Sequence, residues 1–473
     1  MSQDLQFDLA AKEAFSEESD QDKQVLSALG PRLLVEFAEA ERDRRLTEDR
    51  WLQDLRQFKG QYDPDVLALI GTKRSRAFVR KSRVKVKTAN SRVEDLLFPS
   101  GSEKNWECDT TPVPSISQES RQALIAKMQQ MAMQAQIAAR QAGQPPQPSS
   151  ITKAAVDEMV LKICKEASKK MSKVIDDQLS EVRYKDVCKK VINSAHLYGT
   201  GILKGPLVEK RIRSRYVQKG SKWVEQTEAY IVPFIDYVPL WRFYPDMGAD
   251  TLEKCRYVYE RHQMTHADLA DLSSRKSFRR TIITSYLNSH PRGESTVKYV
   301  DNQLKIIGER SAKQGNNDGK YEVLERWGWL TGQDLKDVGV AVEDNRLHES
   351  FFSNVWLLPN GEVIKAVLQP LNGVTWPYHM YYFDKDETSI FGEGIAAIMR
   401  DDQTMINAAT RMMLDNGGIT SGPQLEVNPS LLASLDKVEE VFPWKIWLRN
   451  NASPGTAAIR AIEMPNNLNN LSG

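Results

Sequence analysis

The run Phe391 to Val427, FGEGIAAIMRDDQTMINAATRMMLDNGGITSGPQLEV, constrains the fold more than any other stretch. Its spacing predicts a helix of about 23 residues, Gly394 to Asn416, stopped by Gly417 and Gly418 and followed by an extended segment from Pro423. Glycine tolerates the left-handed backbone that closes a helix C-terminus, so two in a row read as a stop signal. At 3.6 residues per turn, Ile395, Met399, Ile406, Ala409 and Met413 form an apolar stripe. Arg400, Thr404, Asn407, Arg411 and Asp415 form a polar one. An ordinary amphipathic core helix shows the same pattern, so the stripes alone assign no function.

The rest of the chain reads as α+β. PRLLVEFAEAERDRRLTEDRWLQDLRQF, 31–58, starts with proline at a helix-start position and places Trp51, Leu55 and Phe58 on one face of a long, otherwise charged helix. A Gln- and Ala-rich helix is expected over 119–142, a linker at 143–150, and a second helical region from Ile151 to about Leu197. From Gly199 the periodicity switches toward two. Two strands joined at Lys219-Gly-Ser221 are expected, then Thr265 capping a short helix, then strands in YEVLERWGWLTG and NVWLLPNGEVIKAVLQP. This order does not suit a parallel nucleotide-binding sheet.

At 473 residues the chain has room for two or three domains or one elongated, lobed subunit. The 64 Lys and Arg nearly balance the 63 Asp and Glu, so the whole molecule is not electrostatically committed to nucleic acid or membrane. Charge is uneven, however. The first 22 residues hold Asp4, Asp8, Glu13, Glu17, Glu18, Asp20 and Asp22 against Lys12 alone. The four cysteines fall in no metal or redox spacing, which points to a reducing compartment. The N-terminus lacks a signal-peptide pattern and no run of 18 apolar residues occurs, so a soluble protein made in the cytoplasm and without a membrane partner is expected.

Chemistry-bearing motifs are sparse. Gly315-Asn-Asn-Asp-Gly-Lys320 is one residue short of a phosphate loop, and Tyr321 stands where a Ser or Thr would hold magnesium. His262 and His266 have the spacing of a helical zinc pair, but Gln263 replaces the glutamate base. Asp401 and Asp402 point about 100° apart on a helix and form no acid pair. These observations favour a protein that is not an enzyme and carries no cofactor or metal. Lys73, Arg74, Arg76, Arg80, Lys81, Arg83, Lys85 and Lys87 are interleaved with Phe78, Val79, Val84 and Val86, with no acid between them. Alternation in RVKVKT predicts a strand with a basic outer face. Such a face suits DNA phosphates, or acids of a neighbouring subunit.

The 391–427 stretch resembles the stem-helix entry of viral portal proteins of the short-tailed phage type: an FGxG turn, a helix with a DxQxxxN core (Asp401, Gln403, Asn407), and a DN-G step before a strand. Val238-Pro-Leu-Trp-Arg-Phe-Tyr-Pro-Asp246 followed by Arg256-Tyr-Val-Tyr-Glu-Arg261 resembles that family's strand pair before a short helix. RVKVKTANSRVEDLLFP, 83–99, resembles its early wing segment. The resemblance spans roughly residues 30 to 465. It implies an elongated, ring-forming subunit: a wing over 1–390, a first stem helix over 391–418, an α/β clip over 419–465, and the start of a second stem segment over 466–473. The chain ends about where that second helix would begin, so a tunnel loop and crown are expected beyond it.

By the same resemblance, about twelve copies surround a channel for double-stranded DNA at one capsid vertex of the virion, assembled in the host cytoplasm. Its expected partners are the terminase motor, the major capsid or scaffold protein, and tail adaptors. Arg400, Asn407 and Arg411 are expected to face the channel or a neighbouring stem, with Ile395, Met399, Ile406 and Met413 between subunits. Trp444 and Trp447 fall in the clip, where exposed aromatics suit docking. The competing readings are a DNA-processing enzyme (terminase or nuclease subunit) and an internal scaffold or structural capsid protein.

Overall fold

Leu29, Leu33, Phe37, Ala40, Arg44, Glu48 and Trp51 recur at three- and four-residue intervals, and all are buried, as is Leu52 beside the last. That stripe sets the longest element, helix α1 (Asp20–Lys59). A computed structural model describes residues 20–99, 106–141, 152–428 and 459–462, apart from 115, 220–221, 276, 295–297, 309–318, 338, 369–370, 372–373 and 423. Pro31, expected to begin the first helix, lies inside it instead. Burial of Leu29 and Leu33 on either side outweighs the one backbone hydrogen bond that proline forfeits.

After α2 (Pro64–Ile70), helix α3 (Lys81–Leu97) occupies the stretch expected to be a basic strand. Alternation in RVKVKT lasts only six residues. Ser82, Val86, Ala89 and Val93 form a longer stripe at helical spacing, with Ser82 and Val86 buried and Val84 exposed. Helices α4 (Gln118–Gln141) and α5 (Lys153–Glu181) meet through Leu124, Val156 and Val160, a small cluster away from the main cores. The linker expected at 143–150 lies outside the described residues. Arg183, at φ 54°, turns the chain from α5 into α6 (Tyr184–Tyr198), the most buried helix.

Three antiparallel sheets follow among the described residues. Strands β1 (Thr200–Lys219) and β2 (Lys222–Val238) form the expected long hairpin, whose turn residues 220–221 lie outside the described residues. A five-stranded meander runs β3 (Phe243–Pro245), β4 (Tyr257–Met264), β5 (Tyr321–Thr331), β6 (Ser350–Leu357) and β7 (Val363–Leu368). Between β4 and β5 lie α7 (His266–Leu272), capped by Thr265 and Asp268 as expected, α8 (Arg280–Ser289) and α9 (Tyr299–Ile307). After β5, α10 (Gly332–Asp337) leads to β6, and Pro359-Asn-Gly361 turns β6 into β7. Strand β8 (Tyr378–Tyr382) pairs with the base of β1. Helices α11 (Ile395–Ile398) and α12 (Arg400–Thr420) precede a last pair, β9 (Gln424–Val427) and β10 (Ile459–Ile462).

The protein is therefore α+β. Helix α1 joins its two largest cores. Leu29 to Ala40 pack on the meander with Tyr244, Tyr259 and Val355. Trp51 packs with Tyr198, Ile202, Phe391 and Ile395. All four cysteines are unpaired.

Candidate functional site

Three backbones meet where the C-terminal helix begins. Gly199, at φ 97°, ends α6, and a Cβ there would stand 2.2 Å from the Gly392 carbonyl oxygen. A Cβ on Gly394 would stand 2.4 Å from the Leu197 carbonyl oxygen. Phe391 lies fully buried edge-on to Trp51, ring centroids 4.9 Å apart. The FGEG turn thus holds this root inside its own subunit.

The single helix expected over 394–416 is two pieces. Met399 (φ −90°, ψ 11°) separates α11 from α12. Gly417 and Gly418 do not stop it, since α12 runs through both to Thr420. A glycine inside a helix costs only about 1 kcal/mol, less than the packing and hydrogen bonds around it supply.

The two halves of the expected site come together. Segment 71–80 is irregular and lies along α12, and its backbone polar groups need partners. Asn407 Oδ1 accepts from Val79 N at 2.9 Å, Asp415 Oδ1 from Ser75 N at 2.7 Å, and Gln403 Oε1 from Ser82 N at 3.1 Å. Gln403 Nε2 donates to the Val79 carbonyl and to Asn407 Oδ1. Gln57 of α1 donates to Ser82 Oγ at 2.7 Å and to the Ala396 carbonyl at 3.0 Å. Arg400 donates to Asp54 of α1 at 2.6 Å, and Arg411 stacks over Tyr62 at 5.0 Å.

Asn407 of the polar stripe therefore faces its own chain, not outward as expected, and so does its neighbour Gln403, at 3% and 2% exposed; Thr404 is exposed, and Arg400 and Arg411 are half-buried. Ile395 is likewise buried in its own core, and Met399 packs against the same cluster. What α12 and the turn before it present outward is a different line: Ile398, Met405, Met412 and Ile419, between 47% and 63% exposed. These positions recur every seven residues.

Burial dominates the chemistry of Asp54. Loss of water pushes its carboxyl up to about 6, more than Arg400 and Arg50 pull it down. The cations of the basic segment behave differently. Lys73, Arg74, Arg76, Arg80, Lys81, Lys85 and Lys87 are exposed, and Arg83 lies half-buried over Phe58 at 5.5 Å. Among the described residues, none of these eight has a carboxylate in ion-pair range. A groove of about 190 Å³ opens between α1 and α12, lined by Gln53, Gln57, Tyr62, Phe78, Arg400 and Arg411 among others.

A second polar centre carries no signal in the sequence. Glu260, His262 and Glu325 offer ligand atoms within 4.8 Å of one another. Lys204 already sits between the carboxylates, 2.7 Å from Glu260 and 2.6 Å from Glu325. Tyr378, Trp327 and His262 complete the hydrogen bonding. Burial disfavours the charged form of Glu325, but Lys204 and His262 hold its carboxyl well below the usual range. A buried ion cluster tying β1 to the meander describes it better than a metal site. His262 lies on strand β4, so the helical pairing with His266 does not exist. No spacing announces this cluster, because its members come from separate strands.

Asp401 and Asp402 are exposed. Trp444 and Trp447, most of the clip, and most of the 315–320 loop lie outside the described residues. No helix among the described residues is long and apolar enough to cross a membrane. No family model matches the chain, and no curated protein matches it.

Proposed function

We propose that this chain is a portal-type subunit. Copies of it close a ring at one capsid vertex, through which a terminase motor drives double-stranded DNA and to which tail adaptors later attach. The observation that carries the reading is the exposed line Met405, Met412 and Ile419 along the solvent side of α12, with Ile398 at the end of α11 continuing its spacing. Large apolar side chains at seven-residue spacing form a seam that packs on another helix, and the subunit's own core leaves this one uncovered. A neighbouring copy of α12 is the natural cover, because head-to-tail contacts that close generate rings. The resemblance of 391–427, 238–261 and 83–99 to portal segments supports the same reading.

The subunit acts as conduit and valve, with no catalytic step. A DNA-processing enzyme would use a clustered metal site or a phosphate loop. The one carboxylate–histidine cluster among the described residues is instead filled by Lys204. Electron microscopy of the purified protein tests the proposal: end-on rings with an axial hole wide enough for a duplex are expected. Met405→Asp with Met412→Asp should leave a folded subunit that no longer closes rings, since an unpaired carboxylate would be buried at each contact. A wild-type protein monomeric at micromolar concentration, or rings that persist in the double variant, would overturn it.

A further inference from the structure

We propose that the groove between α1 and α12 is an oxyanion site that takes a phosphate group. Every residue involved belongs to one subunit, so the site does not depend on ring formation.

Charge inside the groove favours an anion. Its one lining carboxylate, Asp63, is committed to Arg56 at 2.9 Å. Arg411 has no carboxylate in ion-pair range among the described residues. Its guanidinium lies over the Tyr62 ring, so its donors stay available in the plane while the ring holds its position. Arg400 commits one terminal nitrogen to Asp54, and its buried Nε has no hydrogen-bond partner. That Nε is closed off from solvent, so only the rest of the guanidinium, on a side chain about one-third exposed, can meet an anion in the groove.

Shape agrees with charge. About 190 Å³ is below the size of pockets that enclose a whole drug-sized ligand. It accommodates a phosphate and part of what it esterifies, with the apolar faces of Tyr62 and Phe78 alongside.

The surroundings add a third element. Asn407 and Asp415 fix segment 71–80 along α12, which keeps the exposed Arg74, Arg76 and Arg80 beside the same helix. Cations without carboxylate partners raise the local concentration of anions. A phosphodiester of a nucleic-acid backbone and a free polyphosphate share this chemistry.

Titration calorimetry of the full chain at low salt, with pyrophosphate as probe, tests the proposal. Saturable binding of one pyrophosphate per subunit is expected, weakened tenfold or more by Arg411→Gln. Arg411→Lys keeps the charge but loses the planar fork, and should fall between the two. Should the glutamine variant not fold, the lysine variant alone must show weakened binding. Replacing Arg74 and Arg76 by Gln should weaken pyrophosphate binding less than Arg411→Gln does, since they act only through the local field. Competition by a short single-stranded oligonucleotide would identify a nucleic-acid backbone as the ligand, and its absence a free polyphosphate. No saturable binding up to millimolar pyrophosphate, or binding indifferent to Arg411, would overturn the proposal.

Discussion

Asp54 gives the root of α12 a pH dependence whose sign follows from its environment. Its folded value of about 6 exceeds the 3.8 of an exposed carboxyl, so the folded state holds a proton that the unfolded state releases. The group therefore opposes folding above pH 6. That penalty fades as pH falls through 6 toward 4, and two units correspond to at most about 3 kcal/mol. Asp54→Asn should stabilise the protein at pH 7.5 by urea unfolding and lose most of that advantage at pH 4, because Arg400, about one-third exposed, still reaches water. An equal effect at both pH values would discount the carboxyl. Asn407→Leu should act oppositely: it orphans the Val79 N–H and removes one of the two bonds of the Gln403 amide nitrogen, a cost of about 1–3 kcal/mol by urea unfolding. It should also speed proteolysis near Arg74 and Arg76. With Asn407 facing a channel, as the resemblance implies, the same change would leave stability unaltered.

Elements are legible in the sequence in proportion to the length of their pattern. The β1–β2 hairpin, β5 and the Thr265-capped helix lie where period and cap place them, since each signal is local. Helix α3 is hidden because six alternating residues outweigh a sparser helical stripe when no packing partner is visible. The Gly417–Gly418 stop fails for a related reason: glycine permits a left-handed closure but does not require one. Neither glycine would bring a Cβ within 4 Å of anything, so alanine at both positions should extend helix content and add about 0.5–1 kcal/mol each. Circular dichroism with thermal unfolding measures this, and destabilisation would show that the backbone there is not helical. Asn407 turns inward because amphipathicity reports that a helix has two sides, not which residues its own chain covers.

For the whole molecule, a net charge of +1 conceals a basic excess within one stretch, 73–87, whereas the candidate site is assembled only by folding. Asp54 meets Arg400, and Val79 meets Gln403, across more than three hundred positions of sequence. Nothing in a linear pattern announces such a meeting. The α+β class survives this because it sums many local signals; the site does not, because it depends on a few distant ones. Seven exposed cations without a carboxylate partner among the described residues predict that any affinity for duplex DNA falls steeply with salt. In a filter-binding series, neutralising Lys73, Arg74 and Arg76 should lower the log–log slope by about 0.9 for each phosphate that these cations touch. An unchanged slope would assign them to protein partners.

The glycine junction beneath α12 also has a mechanical meaning. Gly199, Gly392 and Gly394 let main chains touch with no side chain between them, so the root has nothing soft to compress. A load carried down α12 reaches a stiff footing that passes it to α6 and β1, much as a mast passes strain to a keel. Compliance is displaced upward to Met399, where the helix is already bent away from ideal geometry. The helix should therefore swing as one rod about that point, with Arg400 and Asp54 as the stay that sets its resting angle.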